Sequence, residues 1–371
     1  MAPLIRVIGS LNADMVSVTP RFPEPGETIT ATSFFTSAGG KGANQAVACG
    51  RLSRPRPSSS SSQDPVHVEM VGAVGGRDGH FQALLRPTLE RSGVDTSRIR
   101  TIEDAYTGVA VIVVDSSAGG ENRIFFSPGA NYSGMQPTPE VVDAGLAAPL
   151  PDVIVMQGEI PVETVVAILR ALRADREKRR AEGKKGIEAG PEVMYNPAPA
   201  PPGGLPEDVY AAVDHLIMNE TEAELMAPTR DQLLRVMPAV EGQPPRETVA
   251  SYFHTLGVTS VVITLGAKGV WYSAADATSR FTHEVPAAPV DQVLDTTAAG
   301  DTFVGAYAVR IARWRERRRE QGRAGEDLSA EDKRDRYLTV MDEAMRSATR
   351  AAARCVERAG AMDSIPWEDE I

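Results

Sequence analysis

The stretch Asp295-Thr296-Thr297-Ala298-Ala299-Gly300-Asp301-Thr302-Phe303 has the clearest chemical potential in the chain. Small residues and a glycine precede a carboxylate, and an apolar-periodic run follows through Phe303, Ala306, Tyr307, Ala308 and Ile311. The pattern predicts a loop turning into a helix, with Asp301 in or near its first turn. Unpaired backbone N–H groups and the positive end of the helix dipole would then face the space before Ala298, Ala299 and Gly300. That is an anion site which a phosphate can approach closely. An aspartate at its edge can take the proton of a hydroxyl attacking a bound phosphoryl group. In isolation the segment reads better as a plain helix start with an acidic first turn, and the other stretches reverse that preference.

Other stretches carry polar groups at the ends of predicted elements. Ile5–Ser10 reads as a strand running into Leu11-Asn12-Ala13-Asp14, which places Asn12 and Asp14 beyond its carboxyl end, where open α/β sheets gather ligands. Gly39-Gly40-Lys41-Gly42-Ala43-Asn44-Gln45-Ala46 precedes a helix; its glycines let backbone wrap close to a ligand, and Lys41 and Asn44 supply polar tips. Strand Asp152–Met156 ends at Gln157-Gly158-Glu159, and strand His215–Met218 ends at Asn219-Glu220-Thr221-Glu222. Asn219 and Glu222 stand three apart, so both can face one site, or cap the helix they open. A further strand, Val261–Leu265, leads into Gly266-Ala267-Lys268-Gly269.

The elements that must hold these groups alternate strand and helix in the second half, with helices at Pro161–Arg173, 207–214 and about Leu338–Arg358. This implies a doubly wound, mostly parallel sheet covered by helices on both faces. Two β excursions interrupt the first half. One comprises Met15–Thr19, Glu27–Ala31 and Ser33–Ser37, read as antiparallel; the other is a hairpin of Val109–Asp115 and Asn122–Phe126. Gly79–Gly93 reads as a helix that Pro87 kinks or shortens. Segments 54–65, 176–191 and 313–336, with 228–246 behind them, read as surface additions. The basic run from Arg313, interleaved with Glu316, Glu320, Glu326 and Asp327, reads as a solvated helical face and loop, although basic runs also serve nuclear import.

Composition removes several classes. With 371 residues and 42% hydrophobic content the chain can bury a full core, and no apolar run reaches membrane-spanning length. A net charge of −11 argues against a general nucleic-acid binder. Neither GK[ST] nor GxGxxG nor HExxH occurs. The two cysteines, Cys49 and Cys355, form no CxxC and suit a reducing cytosol, and the N-terminus goes almost directly into a strand with no sign of a signal peptide.

Taken in order, these motifs resemble the ribokinase branch of the PfkB carbohydrate kinase family over nearly the whole chain. Pro25-Gly26-Glu27-Thr28 and Asn196-Pro197-Ala198-Pro199-Ala200 agree as well. The resemblance implies ATP-dependent phosphorylation of D-ribose at O5, in the cytoplasm, with no nucleic acid or membrane as partner. It implies an α/β kinase domain from 1–14, 39–105 and 128–371. Segments 15–38 and 106–127 would form a β lid over the sugar that pairs with a second subunit. Asp301 becomes the base, Ala298–Gly300 the anion hole, and Asn12, Asp14, Gly40, Lys41, Asn44 and Glu159 the sugar-binding set with Asp301. Asn219, Thr264, Gly266, Gly269 and Gly300 line the nucleotide, and Glu222 serves Mg²⁺, partly through water. A monovalent cation such as K⁺ falls to Asp295, Thr297, Cys355, Arg358, Gly360 and Ser364, mostly through carbonyls. The tail around Met362-Asp363 departs from the family pattern. Two alternatives remain: another PfkB sugar or nucleoside kinase, and a catalytically silent, sugar-sensing member.

Overall fold

The computed structural model describes residues 2–59, 64–117, 121–236, 245–275 and 280–371. Parts of the 54–65 and 228–246 segments and of the turn after Asp115 therefore lie outside the described residues. Among the described residues fourteen strands run in chain order: β1 (Leu4–Ile8), β2 (Asn12–Thr19), β3 (Ser33–Gly39), β4 (His67–Gly75), β5 (Val94–Asp95), β6 (Ile99–Ile102), β7 (Gly108–Asp115), β8 (Glu121–Ser127), β9 (Val153–Met156), β10 (Glu192–Tyr195), β11 (His215–Asn219), β12 (Ser260–Thr264), β13 (Val270–Ala275) and β14 (Arg280–Val285). The large sheet has the order β14-β13-β12-β11-β10-β9-β1-β4-β5, with β6 also on β4. From β12 to β5 every pairing is parallel. Strands β1, β9 and β10 are buried at every position, as expected of a sheet covered on both faces. The chain leaves β1 in one direction to β4 and later returns on its other side to β9, which makes the carboxyl end of β1 the switch point where ligands collect.

Four helices matter to the site: α1 (Lys41–Arg51), α2 (Val162–Ala181), α3 (Ala299–Glu320) and α4 (Met341–Val356). The apolar faces of α1, α3 and α4 share one core cluster with Val7, Val155 and Val262, while α2 packs into a second cluster with Ile8, Ile154 and Val261. Neighbouring residues of each strand thus feed opposite faces of the sheet. A separate sheet of β3-β2-β7-β8 stands apart from it.

The small sheet is mixed rather than purely antiparallel: β2 pairs β3 antiparallel and β7 parallel. The long crossover through β4 to β6 brings the second excursion back in the same direction as the first. Glu27–Ala31, expected as a strand, is irregular and largely exposed after the Pro25-Gly26 turn. The expected helix at 79–93 splits into a π turn, Phe81–Leu85, and a short α-helix, Arg86–Arg91, with Pro87 at the start of the second piece. Antiparallel β13 and β14 extend the sheet edge; the sequence reading misses them because Val270–Ala274 is buried throughout and shows no alternation.

The arginine-rich run is the largest departure. Arg313, Arg315, Arg318 and Arg336 are buried, not solvated. Arg315 reaches Asp152 at 3.2 Å and Glu192 at 3.4 Å, just before β9 and at the start of β10. Arg336 also pairs with Glu192, and His215 Nε2 lies 2.9 Å from the same carboxylate. Burial pushes the Glu192 carboxyl up, but Arg336, His215 and Arg315 outweigh it and hold the group well below its ordinary value. The expected insertion at 176–191 likewise begins as the end of α2, where Arg176 binds Asp214 at 2.6 Å. Both segments are pinned to the amino-terminal edge of the sheet, opposite the switch-point end. Removing one partner of a buried ion network leaves uncompensated charge. Glu192→Ala should therefore lower the unfolding free energy by about 3–5 kcal/mol in urea melts; a loss below about 1 kcal/mol would show the network to be solvated.

Candidate active site

The N-terminal tips of α1 and α3 meet beyond the carboxyl end of β1. Gly40 precedes α1 with φ 91°, and a Cβ there would come within 2.8 Å of the Asn12 backbone nitrogen, so only glycine lets the loop lie this close. A Cβ at Gly39 would meet Asp14 Oδ2 at 2.1 Å. Ala298 caps α3 in the left-handed region, φ 60° and ψ 5°, and is the sole non-glycine with positive φ among the described residues. Such backbone strain, of order 1–3 kcal/mol, persists where the surroundings enforce it. Here it turns the backbone of Ala298–Gly300 toward the cleft, and nothing stands within 4 Å of where a Gly300 side chain would be.

Asp301 is buried in the first turn of α3. Its two oxygens accept hydrogen bonds from Asn44 Nδ2 and Gln45 Nε2, each at 2.9 Å. Gln45 Nε2 also donates to Asn196 Oδ1 at 3.0 Å, and Gln45 Oε1 accepts from Gln157 Nε2 at 2.7 Å. These carboxamides fix the aspartate by two edges and leave its remaining lone pairs to the cleft. Asn44 Oδ1 is buried without a partner, which is the arrangement expected of an acceptor awaiting a donor from a ligand.

A cavity of about 380 Å³ opens in front of Asp301. It brings together Asn12, Asp14, Gly40, Lys41, Asn44 and Glu159 with Asn219, Glu222, Thr264, Thr297, Ala298 and Gly300. Glu159 Oε2 accepts from Ser10 Oγ at 2.6 Å and from the Lys41 backbone at 2.9 Å, tying α1 to the end of β9. Asn12 is held by Asn131, whose Nδ2 donates to Asn12 Oδ1 at 2.7 Å. Asn219 and Glu222 close a reciprocal cap, Asn219 N to Glu222 Oε2 at 2.9 Å and Glu222 N to Asn219 Oδ1 at 2.7 Å.

A second cavity, about 500 Å³, continues past the tip of α3 and is lined by Thr264, Gly266, Gly269, Ala299, Gly300 and the apolar face of α4. Thr264, Thr296 and Gly300 belong to both. The proposed cation residues lie in neither cavity except Thr297; they gather behind the turn. Asp295 accepts from the Thr297 and Gly360 backbones at 2.9 Å, and Cys355 Sγ lies 3.1 Å from Ser364 Oγ. The Arg358 guanidinium is drawn away to Glu370.

Charge in the first cavity is dominated by carboxylates. Burial, then Glu159 and Asp301, push the Asp14 carboxyl up to about 7. Glu159 is raised by burial against the pull of Lys41 and Ser10, and Glu222 is raised by burial despite the Asn219 N–H. The Asp301 carboxylate raises the Lys41 ammonium against its own desolvation, so Lys41 stays charged.

Four groups had no role assigned from sequence. Gln45 sits inside the glycine motif, where only its neighbour Asn44 looked outward. Gln157 and Asn196 stood at strand ends, the right place, but a single carboxamide there gives no signal. Asn131 follows a glycine turn far from the other motifs. The roof of Ala110, Ile112, Ile124 and Phe126 was also unexpected, since only hydroxyl-binding groups stood out along the chain.

The model of the pfkB family carbohydrate kinases matches residues 2–368. The chain belongs to the PfkB carbohydrate kinase family. It is 35% identical to a ribokinase of Schizosaccharomyces pombe over 98% of this chain and 94% of that one. It is 31% identical to a ribokinase of Haemophilus influenzae over 100% and 97%. A structure of Arabidopsis thaliana ribokinase complexed with ribose and ATP superposes with a TM-score of 0.71 at 27% identity, covering 100% of this chain and 97% of that one. This PfkB kinase thus carries the family's fold from end to end, with α3 and its strained cap at the centre of the cleft.

Because the folded Asp14 carboxyl sits above its unfolded value, the stabilising side of this group is the protonated one. It is complete below the ordinary aspartate range and lost as pH rises through about 7. Asp14→Asn should stabilise the free protein at pH 8, by at most about 4 kcal/mol, and change little at pH 4 when unfolding is followed in urea. An equal effect at both pH values would show that the carboxylate is not desolvated.

Proposed function

We propose that this PfkB kinase transfers the γ-phosphoryl group of ATP to O5 of D-ribose. The observation that carries the reading is the meeting of two cavities at one helix tip. A polar cavity of hydroxyl-binding groups and an apolar slot share Thr264, Thr296 and Gly300, with Asp301 on the polar side of the junction. A sugar in the first and a nucleotide in the second would present alcohol and phosphate to each other across Asp301.

In this reading Asp14, Asn12, Asn44 and Glu159 orient the pentose hydroxyls, and Lys41 neutralises charge near the transferring group. Asp301, held by Asn44 and Gln45, takes the proton from the O5 hydroxyl as that oxygen attacks phosphorus and the bond to the ADP oxygen breaks. Backbone N–H groups at Ala298–Gly300 meet the developing negative charge. Glu222, with Asn219 beside it, would hold Mg²⁺. One carboxylate and one amide oxygen suit an ion that keeps waters and phosphate oxygens as its other ligands. When bound it neutralises the phosphate chain. A monovalent cation would fall behind the turn of the anion loop, to backbone carbonyls of Thr297, Cys355, Arg358 and Gly360. A thiol is a poor donor to K⁺, and the Asp295 oxygens already accept two backbone N–H groups.

Asp301→Asn should lower kcat by roughly two to four orders of magnitude, the usual worth of a general base, while ribose affinity stays within a few-fold. Turnover near that of the native protein would remove the assignment. The apolar roof favours one competing acceptor, a nucleoside with its base under Ile112, Ile124 and Phe126. Coupled ATP-consumption assays with ribose, deoxyribose, fructose and adenosine separate these. The ribose reading predicts the highest kcat/KM for ribose, and a higher value for adenosine would contradict it.

The lid is the proposed dimer contact. Phe34, Phe125 and Val111 share the outer face of the four-stranded sheet and are 63%, 62% and 39% exposed, a concentration of bare aromatic and aliphatic surface. The chain should sediment as a dimer, and Phe34→Asp with Phe125→Asp should yield folded monomers; a monomeric native protein would exclude the contact.

A further inference from the structure

The slot beyond the tip of α3 has, among the described residues, no side chain with which to read a purine. Among the described residues its lining is glycine, alanine, valine, one phenylalanine and three threonines. No carboxamide, carboxylate, guanidinium, ammonium or imidazole of the described residues lines it. Thr264 and Thr296 stand at the shared end of the slot, beside the helix tip, where phosphate rather than base belongs. Thr349, at the far side on α4, gives its hydroxyl hydrogen to the Arg346 carbonyl at 3.0 Å. Ala352 and Ala353 sit within the same helix, whose backbone groups are already spent on one another. The rim is apolar too: Val293 and Leu294 are 59% and 58% exposed, and Val290 is 36% exposed.

Adenine differs from guanine and hypoxanthine by the donors and acceptors on one ring edge. A site that hydrogen-bonds such an edge rejects the wrong partner by four to five orders of magnitude, whereas an apolar wall rejects an isostere weakly. The remaining polar groups of the lining are backbone peptides of the loops at 266–269 and 287–293, and no side chain among the described residues selects one purine edge.

We infer that this kinase is permissive for the base of its phosphoryl donor and accepts purine nucleoside triphosphates as a class. Affinity comes from stacking flat rings against Val290, Val293 and the α4 alanines, and from the triphosphate at the helix tip. The inference rests on the kinase reading and adds the donor class to it. The products would be the nucleoside diphosphate and the sugar phosphate, with the phosphoryl group passing from one to the other as with ATP.

The test uses the full chain with saturating ribose and Mg²⁺, measuring sugar phosphate formed from ATP, GTP and ITP. The expected result is a kcat/KM for GTP and ITP within about thirtyfold of that for ATP, the range an apolar pocket can discriminate. A larger preference for ATP would overturn the inference while leaving the kinase reading intact. Absence of product from all three donors would instead sink the kinase reading on which the inference rests. Equilibrium binding of ADP, GDP and IDP supplies a readout without turnover: dissociation constants within the same range support permissiveness, and a wider spread opposes it.

Discussion

The close crossing of α1 and α3 is the constraint on which the cleft depends. A Cβ at Gly305 would come within 2.3 Å of the Ala48 side chain, so the two helices touch nearly backbone to backbone. That contact lets Asn44 and Gln45, at the start of α1, reach the Asp301 carboxylate across 257 and 256 residues of sequence. With a larger residue at 305 the tips would separate and the aspartate would lose both amide donors. The strained Ala298 cap and the glycine pair before α1 follow from the same geometry: both loops must pass close to a shared space that side chains would fill.

Electrostatics then shape what that space accepts. Asp14, Glu159, Asp301 and Glu222 face it together with one ammonium, Lys41. Burial first, and repulsion from neighbouring carboxylates after it, raise Asp14, Glu159 and Glu222. Such a cavity suits neutral, hydroxyl-rich molecules, which can donate to each carboxylate, and disfavours an anion until a helix dipole and a cation offset the charge. The polar cavity and the helix tip beside it are complementary in that respect. The large ion network at the opposite edge, centred on Glu192, is separate in purpose: it anchors the two arginine-rich segments to the sheet.

Most of the site was legible because its chemistry requires particular residue types at strand and helix ends. Asp301 after Ala-Ala-Gly, the paired glycines before Lys41, and Asn219 with Glu222 each stand out locally. Gln45, Gln157, Asn131 and Asn196 did not, because a carboxamide acquires meaning only from partners distant in sequence. The parallel pairing of β2 with β7 was hidden for a similar reason: short alternating strands specify a sheet but not the direction of a remote neighbour. The arginines from 313 onward misled because interleaved charge ordinarily marks a wet face. Nothing in that segment announces Asp152 and Glu192, the carboxylates that allow its burial.

The account stands or falls on what lies at the tip of α3 during reaction. The direct measurement is a crystal structure of the protein with ribose and a slowly hydrolysed ATP analogue. The account predicts the ribose O5 within hydrogen-bond reach of Asp301, about 3 Å, and the γ-phosphate against the backbone of Ala298–Gly300. A γ-phosphate bound away from that tip, or a sugar whose O5 points away from Asp301, would contradict it.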